Sequence, residues 1–105
     1  MKTIIQVSKV LHEGAITGRH SGRVMREMLV TACHAGETVQ IDFAGVDVIT
    51  QSAADEFIGR IVRQHAGIIA QISFSNCVTD VANMLQWAAE NAEAVFQSER
   101  ELVPA

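Results

Sequence analysis

Apolar and polar residues alternate at period two from Thr38 to Phe43, and β-branched residues crowd two further stretches, Ile4 to Leu11 and Ile68 to Ser75. Successive side chains of a strand point to opposite faces, so the alternation predicts one β-strand, and the two β-branched stretches predict two more. Ala15-Ile16-Thr17, after the Glu13-Gly14 turn, predicts a short partner strand. Between the strands the apolar period lengthens to that of a helix. Val24, Met25, Met28, Leu29, Ala32 and Cys33 predict a one-sided helix from Ser21 to Ala35, stopped by Gly36. Phe57, Ile58, Ile61, Val62 and His65 predict a second helix from Ser52 to Ala66, which Gly67 ends. A third is predicted from Asp80 to Phe96, with Thr79 as its N-cap and Val81, Ala82, Leu85, Ala88, Ala89, Ala92 and Phe96 facing inward. The tail from Gln97, which carries Pro104, is expected to fray.

Strands alternating with helices of this length are βαβ units, so the expected fold is a single α/β domain spanning residues 1–105. Its sheet should be mostly parallel, with about four strands, right-handed crossovers and helices packed against it. The third strand carries β-branched residues on both faces near its start, as a strand buried on both sides would.

One segment joins a strand, a loop and a helix start. Val39, Ile41 and Phe43 alternate, Gly45 and Asp47 break the run, and Ser52 with Asp55 three residues later reads as a capping box. A hydroxyl then stands where a parallel strand has ended and a helix begins, the place where open α/β sheets carry their functional surface. Asp42, Ser52 and Asn76 are expected at the carboxyl ends of adjacent parallel strands, bordering one surface.

The run Asp42-Phe43-Ala44-Gly45-Val46-Asp47-Val48-Ile49-Thr50-Gln51-Ser52 resembles the signature of the STAS domain of bacterial anti-sigma-factor antagonists. Asp42, Val46, Ile49, Ser52, Gly59 and Arg60 keep that register, while Thr50, Gln51 and Ala53 stand where the signature has an acidic residue, a serine and a glycine. Closer still is the likeness to the STAS-like family of bacterial domains, which Thr17-Gly18-Arg19 and Ser52-Ala53-Ala54-Asp55-Glu56 carry. The resemblance implies a STAS-like fold and a non-catalytic regulatory module without cofactor. It implies a signalling partner, an anti-sigma or histidine-kinase-type ATP-binding domain, contacted through Val48, Ile49, Thr50, Gln51, Ser52, Asp55 and Glu56. It also marks Ser52 as the position that a partner kinase phosphorylates. Asp55 and Glu56 oppose that modification, because they share the first helical turn with a group that would gain a charge of about −1.5 to −2.

Other candidate chemistry lies outside this segment. Arg19, Arg23 and Arg26 place three cations near a helix N-terminus, where the dipole disfavours them. They are expected to face solvent, as a solvated face or as a surface for an anion or an acidic partner. Met84, Trp87 and Asn91 form a second stripe on the last helix, either a lid on the core edge or a partner or self-association surface. Asp42, Asp47, Asp55 and Glu56 converge as an acid/base cluster on the competing reading, a small enzyme; a structural homodimer burying Trp87 is a third.

His12, His20, His34 and His65 lack ligand spacing, so no metal is expected, and no phosphate loop or nucleophile elbow occurs. A net charge of −4 argues against a nucleic-acid partner, and apolar runs such as Ala66 to Ala70 are too short for a membrane span. Cys33 and Cys77 suit reduced core thiols. The N-terminal stretch lacks the apolar region of a secretory signal, which predicts a soluble cytoplasmic protein.

Overall fold

β1 (Lys2–Gln6) runs parallel to β3 (Thr38–Asp42), which runs parallel to β5 (Ile72–Ser75), so β3 is the centre of a three-stranded sheet. The computed structural model describes residues 2–11 and 14–101, with 94–101 as backbone alone. A second, two-stranded parallel sheet pairs β2 (Ala15–Ile16) with β4 (Val48–Ile49). The class is α/β, as the patterning implies, but the expected sheet of about four strands is divided in two.

The pairing register assigns the faces. Thr3 and Ile5 share one face with Val39, Ile41, Ile72 and Phe74, and this face meets the helices. Lys2, Ile4, Thr38, Gln40 and Ser73 lie on the other, where Ile4 is 55% exposed. Parallel sheets are ordinarily covered on both faces. This one is covered on one, so the third strand is not the doubly buried strand expected from its composition.

Two strands are shorter than the sequence predicts, each only as long as its pairing with β3. Gln6 pairs with Asp42, the last residue of β3, so from Val7 onward the chain has no neighbour to bond and closes into the helical turn α1 (Val7–Leu11), burying Val7. At the other edge, pairing begins only at Ile72, and Ala66–Gln71 forms a 3₁₀ helix. The Gln71 amide then donates to the carbonyls of Cys33 (3.0 Å) and Glu37 (2.9 Å), tying this turn to the end of α2 (Gly18–His34). There the Glu37 N–H donates to the Ala32 carbonyl and that of Gly36, at φ 87°, to Cys33, the αL stop anticipated from the sequence.

α2 buries Gly22, Met25, Leu29 and Cys33, whereas Met28 is exposed. α3 (Gln51–Ala54), a π turn (Asp55–Gly59) and α4 (Arg60–Gln64) follow one another as a single helix. It buries Ala53, Ala54, Phe57, Ile58 and Ile61. α5 (Thr79–Glu101) buries Val81, Leu85, Ala88 and Ala92, leaves Ala82 exposed, and continues past the expected end at Phe96.

α2 meets the helix 51–64 at Gly22, where a Cβ would run into the Ala53 carbonyl oxygen and lie 3.0 Å from Glu56 Cβ. Gly22→Ala is expected to destabilise the fold by about 1–3 kcal/mol, the usual cost of overpacking. Gly67→Ala, where the added carbon meets nothing within 4 Å, should leave stability unchanged or raise it by up to about 1 kcal/mol. Urea denaturation checks the pair; equal midpoints would show that the helices tolerate the extra carbon.

Candidate functional site

Thr50 joins three elements. Its N–H extends the β2–β4 ladder to the Ile16 carbonyl at 2.9 Å. In extended conformation, φ −74° and ψ 159°, it caps the helix 51–64: Oγ1 accepts the Ala53 N–H at 3.4 Å. The same oxygen accepts the Gly18 N–H at 3.3 Å, so one hydroxyl serves the first turns of two helices. This corrects the expected capping box. Ser52 lies inside the first turn rather than before it, and among the described residues its hydroxyl bonds Thr50 Oγ1, at 3.4 Å. The Thr50-to-Ala53 spacing lacks the acidic residue that makes a capping box conspicuous, whereas Ser52 and Asp55 imitate one.

The two acids after Ser52 are clamped. Glu56 is buried, and three arginines reach it: Arg26 Nη1 at 3.2 Å from Oε1, Arg19 Nη1 at 3.2 Å and Arg60 Nε at 3.6 Å from Oε2. Arg26 Nη1 also donates to the Glu56 backbone carbonyl at 2.6 Å, inside the π turn, where the ordinary i→i−4 ladder is interrupted. Asp55 pairs with Arg63 at 3.1 Å and with Arg19 at 3.6 Å. Burial alone pushes the Glu56 carboxyl up, but hydrogen bonds from Arg26 and Arg19 and the charges of Arg60 and Arg26 outweigh it, and the net shift is downward.

The arginine stripe is therefore not one solvent face. The Arg19 side chain is 65% exposed and that of Arg26 only 14%, and both turn toward Glu56. Arg23 faces away and bonds His20 Nδ1 at 3.3 Å. The face that packs is Arg19, Gly22 and Arg26, at i, i+3 and i+7. Its carboxylate partners come from the next helix, with Asp55 and Glu56 answering Arg19 and Arg26.

Asp42 and Asn76 do meet at the ends of neighbouring parallel strands. Asn76, at φ 56°, donates its side-chain amide to Asp42 Oδ1 at 2.8 Å, and the Ala44 N–H donates to the same oxygen at 2.9 Å. These bonds, that from Asn76 first, lower the Asp42 pKa. Ser52 follows β4, which pairs with β2, so it does not share this edge. Cys77 lies half-buried nearby, and burial, with the Asp42 charge, holds its thiol pKa up. His12 lies outside the described residues. Among those described, no group of three His, Cys, Asp or Glu residues is placed to hold a metal ion, and no helix is long and apolar enough to cross a membrane.

Of the seven residues proposed to touch a partner, Ile49 and Glu56 are buried and cannot present their side chains. Val48 and Gln51 are exposed, and Thr50, Ser52 and Asp55 are half-buried. Arg19, Thr50, Gln51, Ser52 and Asp55 line a shallow cleft of about 420 Å³. Gln51 also lines a second depression with Asp80, Asn83, Met84 and Trp87, which brings Trp87, 40% exposed, beside the Ser52 turn. Periodicity marked the Trp87 stripe but had no means of placing it next to Gln51.

The sequence model of a family described as a STAS-like domain of unknown function matches residues 21–82. No curated protein and no solved structure is significantly similar to the chain.

Thr50→Ala removes the acceptor of two helical N–H groups and is expected to cost about 1–2 kcal/mol, whereas Ser52→Ala should stay within about 0.5 kcal/mol. Chemical denaturation separates them, and the reverse order would restore Ser52 as the cap. A folded-state Glu56 pKa below the ordinary value near 4.3 adds stability that is complete above that value and drains as pH falls through the folded-state pKa. Glu56→Gln should therefore flatten the acid limb of the stability curve, with part of the slope remaining because Asp42 acts in the same direction. An unaltered acid limb contradicts the clamp.

Proposed function

This chain belongs to the family of STAS-like domains of unknown function, and from that membership and the geometry around Ser52 we propose that it is a non-catalytic regulatory module that binds a signalling protein in the bacterial cytosol. The observation that carries the reading is that the Ser52 hydroxyl caps no helix and bonds Thr50 Oγ1 at 3.4 Å. Thr50 does the capping, so the structure of the turn does not require a serine at position 52. The group lies in the surface cleft beside Arg19, next to a patch formed by Gln51 and Trp87.

The resemblance to anti-sigma-factor antagonists suggests an ATP-binding domain of the anti-sigma or histidine-kinase type as partner, with phosphorylation of Ser52 as the control. The local charge supports a phosphate better than the sequence suggests. Asp55 is held by Arg19 and Arg63, and Glu56 by Arg19, Arg26 and Arg60, so the two acids that oppose a phosphate are paired, and of these cations Arg19 lines the cleft with Ser52. A phosphate there meets Arg19 and the start of a helix. Trp87 supplies the large ring on which protein interfaces often depend. A homodimer across Trp87 is the second reading, favoured by the same exposed ring.

Affinity capture from the source cell with ATP present, using the unmodified chain, Ser52→Ala and Ser52→Asp, tests the proposal. The unmodified chain and Ser52→Ala should retain an ATP-binding protein and Ser52→Asp should release it. Equal retention by all three removes the phosphate switch, and capture of the chain by itself alone favours the homodimer. Trp87→Ala should weaken the retained complex by about 2 kcal/mol, measured by calorimetry. Arg19→Glu with Arg23→Glu should weaken it most at low salt; affinity independent of salt would reduce the two arginines to a solvated face.

A further inference from the structure

We propose that the groove between the helix 51–64 and α5 is a second docking site, distinct from the Ser52 surface, which takes an apolar helical peptide flanked by lysine or arginine. The groove has a volume of about 630 Å³, with Ile58 and Val62 on one wall, Leu85 and Ala89 on the other, and Ala66 and Ile69 contributed by the 3₁₀ helix that follows. Leu85 and Ala89, four residues apart, fall on one side of α5 and face Ile58 and Val62 across the groove. From Ala82 to Glu93 the α5 wall rises about 16 Å, three helical turns. Phe74 closes one end. It points to the helical face of the sheet, yet it is 40% exposed, because β5 is the sheet edge and no fourth strand continues the layer over it. Ile69 beside it is exposed to the same degree.

The charges of the rim select the occupant. Among the described residues no lysine or arginine lines the groove, and the ionised side chains there are Glu90 and Glu93. These stand three residues apart on one helix, where like charges repel. Gln86 donates to Glu90 Oε1 at 3.0 Å, and neither carboxylate has an ion-pair partner among the described residues. A second copy of the chain would bring another pair of carboxylates to the same rim and a net charge of −4 with it. A segment with lysine or arginine on its flanks instead offsets both acids while its apolar face covers Phe74, Ile69 and Leu85. Two helical walls accommodate a third helix by ridge-in-groove packing, with anchors at i, i+3, i+4 and i+7.

The probes are two synthetic 14-residue helical peptides with leucine at those anchor positions, one with lysine on the flanks and one with glutamate. Titrated into the ¹⁵N-labelled full chain, the lysine peptide should shift the amides of Ile69, Phe74, Leu85 and Ala89 and leave those of Thr50 to Ser52 in place. The glutamate peptide should not bind. Glu90→Lys with Glu93→Lys, both at exposed positions, should weaken the lysine peptide by about tenfold or more and admit the glutamate peptide. Ser52→Asp should alter neither result, so failure here is separable from failure at the Ser52 surface. The proposal is overturned if the lysine peptide does not bind or shifts other amides, or if the charge reversal changes nothing. It is also overturned if the groove amides shift with protein concentration alone, which would make a second copy the occupant.

Discussion

Helix α2 reaches the helix 51–64 only because residue 22 has no side chain: the Ala53 backbone occupies the space where a Cβ would stand. Three residues before the glycine and four after it, on the same side of α2, stand Arg19 and Arg26, and both close on Glu56. The contact is thus a close approach of two backbones held at its margin by guanidinium groups. An ion pair of this kind adds little net stability over an apolar pair, because the charges must be desolvated. Its value is positional. Arg26 binds both the Glu56 carboxylate and its backbone carbonyl, and so holds the π turn where the helical ladder is interrupted.

The geometry of the Ser52 turn follows from that crossing. With the two helices fixed against each other, the start of α2 comes close enough to β4 for Thr50 to accept an N–H from each helix. Ser52 is thereby released from capping. The acids that follow it are neutralised by arginines from α2, from their own helix and from its continuation. A turn that looks acidic in the sequence has both its acids paired in the fold, and Gln51 links it to the depression that Trp87 lines.

Much of this was legible beforehand. The central strand 38–42, the three long helices, the Gly36 stop and the meeting of the ends of β3 and β5 all follow from local patterns that the fold respects. What was hidden depends on partners distant in the chain. Residues 7–11 read as a continuation of β1, but Val7, Val10 and Leu11 stand at i, i+3 and i+4, a helical spacing, and pairing with β3 ends at Gln6. Thr50 looks like a loop residue until Gly18 arrives beside it. Arg19, Arg23 and Arg26 form a plausible stripe at helical spacing, but the crossing selects Gly22 in place of Arg23. A signal for that was present: a glycine inside a predicted helix costs about 1 kcal/mol relative to alanine, and close packing is the usual reason for one.

The dependence of the site on the crossing is tested most directly by a double-mutant cycle on Arg26→Met and Glu56→Gln, with stability measured by denaturant unfolding at neutral pH. If Arg26 and Glu56 act as a unit, the two losses will fall short of additivity by about 1–3 kcal/mol. Additive losses, with a coupling near zero, would contradict the account, since the π turn and the Ser52 surface would then be held by something other than this pair.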